Sequence, residues 1–244
     1  MVLDGNVLET AMTWEAHSFE TWSRLGRTAN GGELRKSRPR SVGRSSKRAI
    51  DLIVAITALI LLSPLLLAVA MIVKLSDRGP VFYSHTRIGF GGAPFGCIKF
   101  RTMKTDASAQ LAELLQNNPA ARSEWEATRK LKDDPRITAV GDILRRSSID
   151  ELPQLINIVR GEMSLVGPRP VTAEELPRYG EHMWAYMSVR PGLTGQWQTS
   201  GRNDVSYEYR VSLDVHYLNS WSLARDFIII AKTIPALFSQ RGSY

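Results

Sequence analysis

Residues 145–170, RRSSIDELPQLINIVRGEMSLVGPRP, hold the side chains best suited to chemistry. Asp150 and Glu151 are adjacent, follow Arg145 and Arg146, and precede Pro153. Proline is tolerated in a first helical turn but not deeper, so a helix is expected to begin near Asp150. The positive end of that helix, with Arg145 close by, would favour an ionised Asp150. A plainer reading is capping, because Ser148-x-x-Glu151 fits a capping box. A second cationic turn, Gly167-Pro168-Arg169-Pro170, follows some twenty residues on. Two prolines hold its arginine on a stiff turn, which suits bidentate phosphate binding. Paired carboxylates beside several arginines point to a charged phosphate substrate and a divalent metal.

The elements that must position these groups begin with a membrane segment. Residues 52–73 are 22 uncharged residues in succession, roughly 33 Å of helix at about 1.5 Å per residue and enough to cross a hydrocarbon core. A signal peptide is excluded because the apolar run is too long, starts too late and lacks a small-residue cleavage site. Ser63-Pro64 sits at its centre and predicts a kink. Lys47 and Arg48 precede the run, and Lys74, Arg78 and Arg87 follow it. A spanning helix normally has a one-sided Lys/Arg excess; here both flanks carry it. Spanning and re-entrant paths both remain open on these residues alone.

Composition frames the rest. The chain has 244 residues, a net charge of +7 and 43% hydrophobic content, which excludes wholesale disorder. One cysteine, Cys97, excludes an internal disulfide framework and any multi-cysteine metal site. Seven of the basic residues lie in 35–48, a stretch without acids, so 1–46 reads as a partly disordered basic tail. Such a tail raises an alternative, a membrane-tethered nucleic-acid-binding protein. That alternative leaves the carboxylate–arginine cluster unexplained, along with the balance of 22 basic and 19 acidic residues in 49–244.

From residue 76 onward the chain reads as one mixed, mostly helical α/β unit. GFGGAPFG (89–96) is read as a hairpin turn rather than a phosphate loop, since no Walker lysine follows. Helices are expected over 107–131, interrupted at Asn117-Asn118-Pro119, over 152–159, and over 221–238 as an amphipathic helix at an interface or on the core. The four histidines have no metal-ligand spacing. Trp184, Tyr186, Trp197 and Trp221 suit either a membrane interface or core packing.

Several long motifs occur in sequence: KRAIDL (47–52), GPVFY (79–83), IKFRTM (98–103), DPRIT (134–138), the 145–170 run, and VRPGLTGQWQTSGRNDVSYEYRVSLDVHYLNSW (189–221). Together the chain resembles the small, membrane-bound bacterial polyprenyl-phosphate glycosyl-1-phosphate transferases, in their core-only monotopic form, from residue 47 to the end. The resemblance implies three parts: a tail (1–46), a re-entrant membrane helix broken at Ser63-Pro64 (47–75), and a cytoplasmic catalytic domain with interfacial helices (76–244). It implies a place on the cytoplasmic face of the bacterial inner membrane, among membrane lipids and without nucleic acid. It implies an exopolysaccharide-initiating reaction in which a UDP-hexose and Mg²⁺ bind, Asp150 attacks the sugar-bearing phosphate and expels UMP, and undecaprenyl phosphate takes the phosphosugar. Glu151 is then the Mg²⁺ ligand, and Arg145, Arg169 and Lys99 meet phosphoryl charge. Arg202 is a further contact to nucleotide or phosphate. Galactose and glucose are the leading hexoses, and a homodimer is left open.

Overall fold

The computed structural model describes residues 43–128, 131–199 and 206–238. Arg202 and most of the basic tail therefore lie outside the described residues.

The apolar run forms two helices, α1 (Arg44–Leu61) and α2 (Ser63–Asp77), bent by 63° where they meet. The cause is local. Pro64 supplies no N–H, and Leu62 turns to φ −89° and ψ 0°. The Ser63 hydroxyl donates to the Ile60 carbonyl at 2.7 Å, satisfying an acceptor that the break exposes. Among the described residues no single helix is long and apolar enough to cross a membrane. Both helices nonetheless expose large apolar side chains, among them Ile53, Ile60, Leu61, Leu67, Met71 and Leu75. Contiguous exposed apolar side chains of this kind mark an interaction surface.

The base of α1 is fixed by charge rather than by its apolar length. Lys47 Nζ meets Asp226 at 2.6 Å, with both side chains buried. Arg48 donates to the Ile158 and Val159 carbonyls at 2.6 and 2.9 Å, and Asp51 accepts from the Leu165 amide at 3.1 Å.

After the helical pair comes an antiparallel hairpin, β1 (Phe82–Ile88) and β2 (Pro94–Phe100), in the register Tyr83 opposite Lys99. Its connection holds Gly91 at φ 68°, which a side chain would strain. GFGGAPFG is thus a hairpin turn. The next helices are α3 (Ala107–Asn117) and α4 (Pro119–Thr128), split at Asn118-Pro119, then α5 (Ala139–Arg146). A 3-10 turn (Ile149–Glu151) leads into α6 (Gln154–Arg160). Three-residue strands β3 (Ser164–Val166) and β4 (Gly192–Thr194) pair in parallel, with the short α7 (Met183–Met187) in the crossover. Gly192 is required there, since a Cβ would come within 2.1 Å of the Gly167 backbone nitrogen. The described chain closes with α8 (Tyr207–Asn219) and α9 (Leu223–Phe238). Over the described residues the architecture is a mostly helical α/β fold with two small sheets.

The main core joins α1, β2, α6, β3, α8 and α9 through Ala55, Phe95, Ile158, Leu165, Tyr217 and Ile229. Cys97 packs in it, and burial pushes its thiol pKa up. A smaller cluster, Val69, Val73, Phe100 and Leu144, seats α2 on β2 and α5. Helix α9 buries Ile229 against the core and exposes Phe227, Ile228 and Ile234, so it is docked yet keeps an apolar outer face. Of the aromatic residues left open by sequence, Tyr186 and Trp197 are core while Trp184 is half exposed.

Candidate active site

Asp150 and Glu151 stand in the 3-10 turn Ile149–Glu151, and the α-helix expected to begin near Asp150 begins at Gln154. Ser148 adopts a left-handed conformation at φ 56° and makes no capping bond, so the capping-box reading fails. Freed from capping, both carboxylates are available for other work.

Their environments differ. Asp150 is 7% exposed. Burial pushes its pKa up to about 6; Lys99 and Arg145 pull it down and Glu151 adds to the rise. The expectation that a helix end and Arg145 would dominate is overturned, because desolvation of a buried carboxylate outweighs them here. Glu151 Oε1 pairs with Lys99 Nζ at 2.6 Å. Burial alone would raise Glu151, but the charges of Lys99 and Arg169, the Lys99 hydrogen bond and the charge of Arg87 together hold it below the ordinary range. Two neighbouring carboxylates are therefore driven in opposite directions, the pattern expected when they have different tasks.

Lys99 comes from β2, and its placement depends on Asn157 one turn along α6. The Asn157 side chain accepts from the Ile98 amide at 3.0 Å and donates to the Gly96 carbonyl at 2.7 Å and to Glu162 at 2.6 Å. It substitutes for a neighbouring strand on β2 and locks that strand to the helix behind the carboxylates. Sequence reasoning missed Asn157; the signal was a lone amide at a fully buried position within the apolar run LINIV.

Of the other predicted residues, Arg145 donates from Nε to Thr102 Oγ1 at 2.8 Å and acts on Asp150 through its charge, without a direct ion pair. Arg169 is exposed on the Gly167–Pro170 turn, and its charge reaches Glu151. Arg87, not anticipated, is paired with Glu175 at 3.0 Å yet also bears on Glu151. Ser63 and Pro64 mark the helix break and belong to the bent α1–α2 pair, not to this cluster.

Among the described residues no group of three His, Cys, Asp or Glu could hold a metal. Asp150 and Glu151 are two oxygen donors, and one Glu151 oxygen faces Lys99. That set fits a hard ion such as Mg²⁺, which takes one or two carboxylates and completes its shell with phosphate oxygens and water. It does not fit an ion caged by protein alone. Chemically, the site can present one buried carboxylate to an electrophilic phosphorus while cations surround the phosphoryl oxygens.

The model of the bacterial sugar transferase family matches residues 42–240. The chain belongs to this family. It is 57% identical over 205 residues to the exopolysaccharide production protein ExoY of Sinorhizobium fredii, covering 84% of this chain and 91% of that protein. An undecaprenyl-phosphate galactose phosphotransferase of Salmonella typhimurium is 48% identical over 198 residues, 81% of this chain and 41% of that protein. A UDP-glucose:undecaprenyl-phosphate glucose-1-phosphate transferase of Caulobacter vibrioides is 37% identical over 222 residues, covering 88% and 76% respectively. The protein is thus an enzyme, a bacterial sugar transferase of the polyprenyl-phosphate glycosyl-1-phosphate transferase class that its motifs resemble.

Proposed function

We propose that this transferase moves a hexose-1-phosphate from a UDP-hexose to undecaprenyl phosphate, releasing UMP, as a membrane step of exopolysaccharide synthesis. The activities for which the Salmonella and Caulobacter relatives are named support the donor and acceptor classes, and the S. fredii relative supports the polysaccharide setting. The observation that carries the chemistry is a buried Asp150 beside a Glu151 held ionised by Lys99.

An Asp150 oxygen attacks the phosphorus bonded to the sugar. The bond from that phosphorus to the bridging oxygen breaks, and the electron pair leaves on UMP. A phosphosugar–aspartyl ester remains. An oxygen of undecaprenyl phosphate then attacks the same phosphorus, and the aspartyl oxygen departs with its electron pair, restoring the carboxylate. Two displacements replace one difficult encounter. Because Asp150 is buried, its ionised form is poorly solvated and correspondingly reactive. Arg145 and Lys99 oppose the charge on the phosphoryl oxygens. Glu151, with Asp150 nearby, would hold Mg²⁺, which when bound neutralises phosphate charge.

The membrane arrangement belongs to the same proposal. Residues 47–75 enter and leave the cytoplasmic leaflet of the inner membrane as the bent α1–α2 pair, 76–244 form the catalytic domain on the cytoplasmic face, and 1–46 precede them as a basic tail. The 63° bend, the exposed apolar faces and the basic residues at both ends support it. Ser46 and Ser76 are both exposed. Single cysteines there, in a Cys97→Ser background, should both resist a membrane-impermeant thiol reagent in intact cells. Labelling of only one would establish a spanning path.

The function itself is tested by incubating the protein with a UDP-sugar panel and undecaprenyl phosphate while measuring UMP. Lipid-dependent UMP release from UDP-galactose or UDP-glucose is expected. No release from any UDP-sugar would reject the proposal.

A further inference from the structure

Two arginines converge on one buried indole. Trp197, 4% exposed, lies in the 3-10 turn Trp197–Thr199. The Arg169 guanidinium carbon is 5.9 Å from its ring centroid and that of Arg210 is 4.7 Å away. Arg169 arrives on the proline-stiffened turn after β3. Arg210 arrives from the first turns of α8, whose start is set by Ser206 Oγ accepting from the Tyr209 amide at 3.2 Å. Two long cationic side chains repel and would ordinarily diverge into water. Here the same indole attracts both, and contact with a buried ring restricts each.

The mutual repulsion registers on Arg210. Burial first and then the charge of Arg169 lower its pKa. Arg169 also acts on Glu151 through its charge, so the Arg169 end of this pair lies within electrostatic reach of that carboxylate. Among the described residues Arg169 has no carboxylate in an ion pair. Two guanidinium groups mounted on one ring bring two positive charges to bear on a doubly charged oxyanion.

We propose that Arg169 and Arg210, mounted on Trp197, bind the nucleoside-side phosphate of the donor, the group that departs as UMP. This assignment rests on the function proposed above. With the sugar-side phosphorus before Asp150, the second phosphate lies one bridging oxygen further out. When the bond to that oxygen breaks, its electron pair and the new negative charge pass to UMP, beside the arginine pair. Arg210 is then a binding residue for the leaving group, and Trp197 positions both arginines.

The test is calorimetric binding of UMP and of uridine to the full-length protein in detergent. The wild type should bind UMP more tightly than uridine. Arg210→Gln should shrink that preference by about tenfold or more and leave uridine affinity unchanged. Arg210→Lys, which keeps charge but not the planar fork, should recover part of the loss and supplies the same comparison should Arg210→Gln fail to fold. Unchanged UMP affinity in Arg210→Gln overturns the assignment. Equal weakening of UMP and uridine overturns it too, by revealing a purely structural role. A wild type that binds neither ligand overturns the proposed function and this site with it.

Discussion

Asp150→Asn should reduce UMP release to background while the protein remains folded and still binds UDP-sugar. Asparagine matches aspartate in shape but offers no anionic oxygen to attack phosphorus. At a position 7% exposed, the wild-type carboxylate carries a desolvation cost that the amide avoids. The variant's melting temperature should therefore equal or exceed that of the wild type, which separates lost chemistry from lost structure. Asp150→Glu should fail as well. One added methylene displaces the attacking oxygen within a tightly buried turn, and in-line displacement tolerates little misplacement. Substantial turnover by Asp150→Asn would reject the nucleophile assignment.

The second large effect is expected at Glu151. Glu151→Gln keeps the size of the side chain but loses the charge that faces Lys99 at 2.6 Å. Activity should fall by about two to three orders of magnitude, the scale of losing one electrostatic group at a charge-building centre. The Mg²⁺ concentration needed for half-maximal rate should rise. Lys99→Met separates two roles for the same carboxylate. If Glu151 holds Mg²⁺, only Glu151→Gln raises the Mg²⁺ requirement, whereas a Glu151 that serves merely to fix Lys99 leaves that requirement unchanged in both variants. Undiminished turnover of the wild type in EDTA would remove the metal from the account.

Much of the frame was legible because single residues enforce it. Pro64 cannot donate a helical hydrogen bond, so the break at Leu62 follows from composition alone. The glycine-rich run 89–96 announced a hairpin for a similarly local reason. The Asp150-Glu151 pair was conspicuous by type and by its arginine neighbours. What sequence hid depends on distance along the chain. Lys99 and Glu151 are 52 residues apart, and their pairing needs both the β1–β2 register and the Asn157 lock. The convergence of Arg169 and Arg210 on Trp197 likewise joins three separate segments. Strands β3 and β4, three residues each, are too short to display an alternating pattern. The left-handed Ser148 dissolved a capping box that its sequence satisfied. The upward shift of Asp150 came from burial, which neighbouring residue types do not reveal.

The central claim is that Asp150 becomes covalently bound to the phosphosugar. The direct measurement is to incubate the protein with a UDP-hexose radiolabelled in its sugar-side phosphate, withhold undecaprenyl phosphate, quench rapidly, and map the labelled peptide. Label is expected on Asp150 in the wild type, none in Asp150→Asn, and discharge of the label when undecaprenyl phosphate is added before quenching. Label on Glu151, or on any residue of the Asp150→Asn protein, would contradict it.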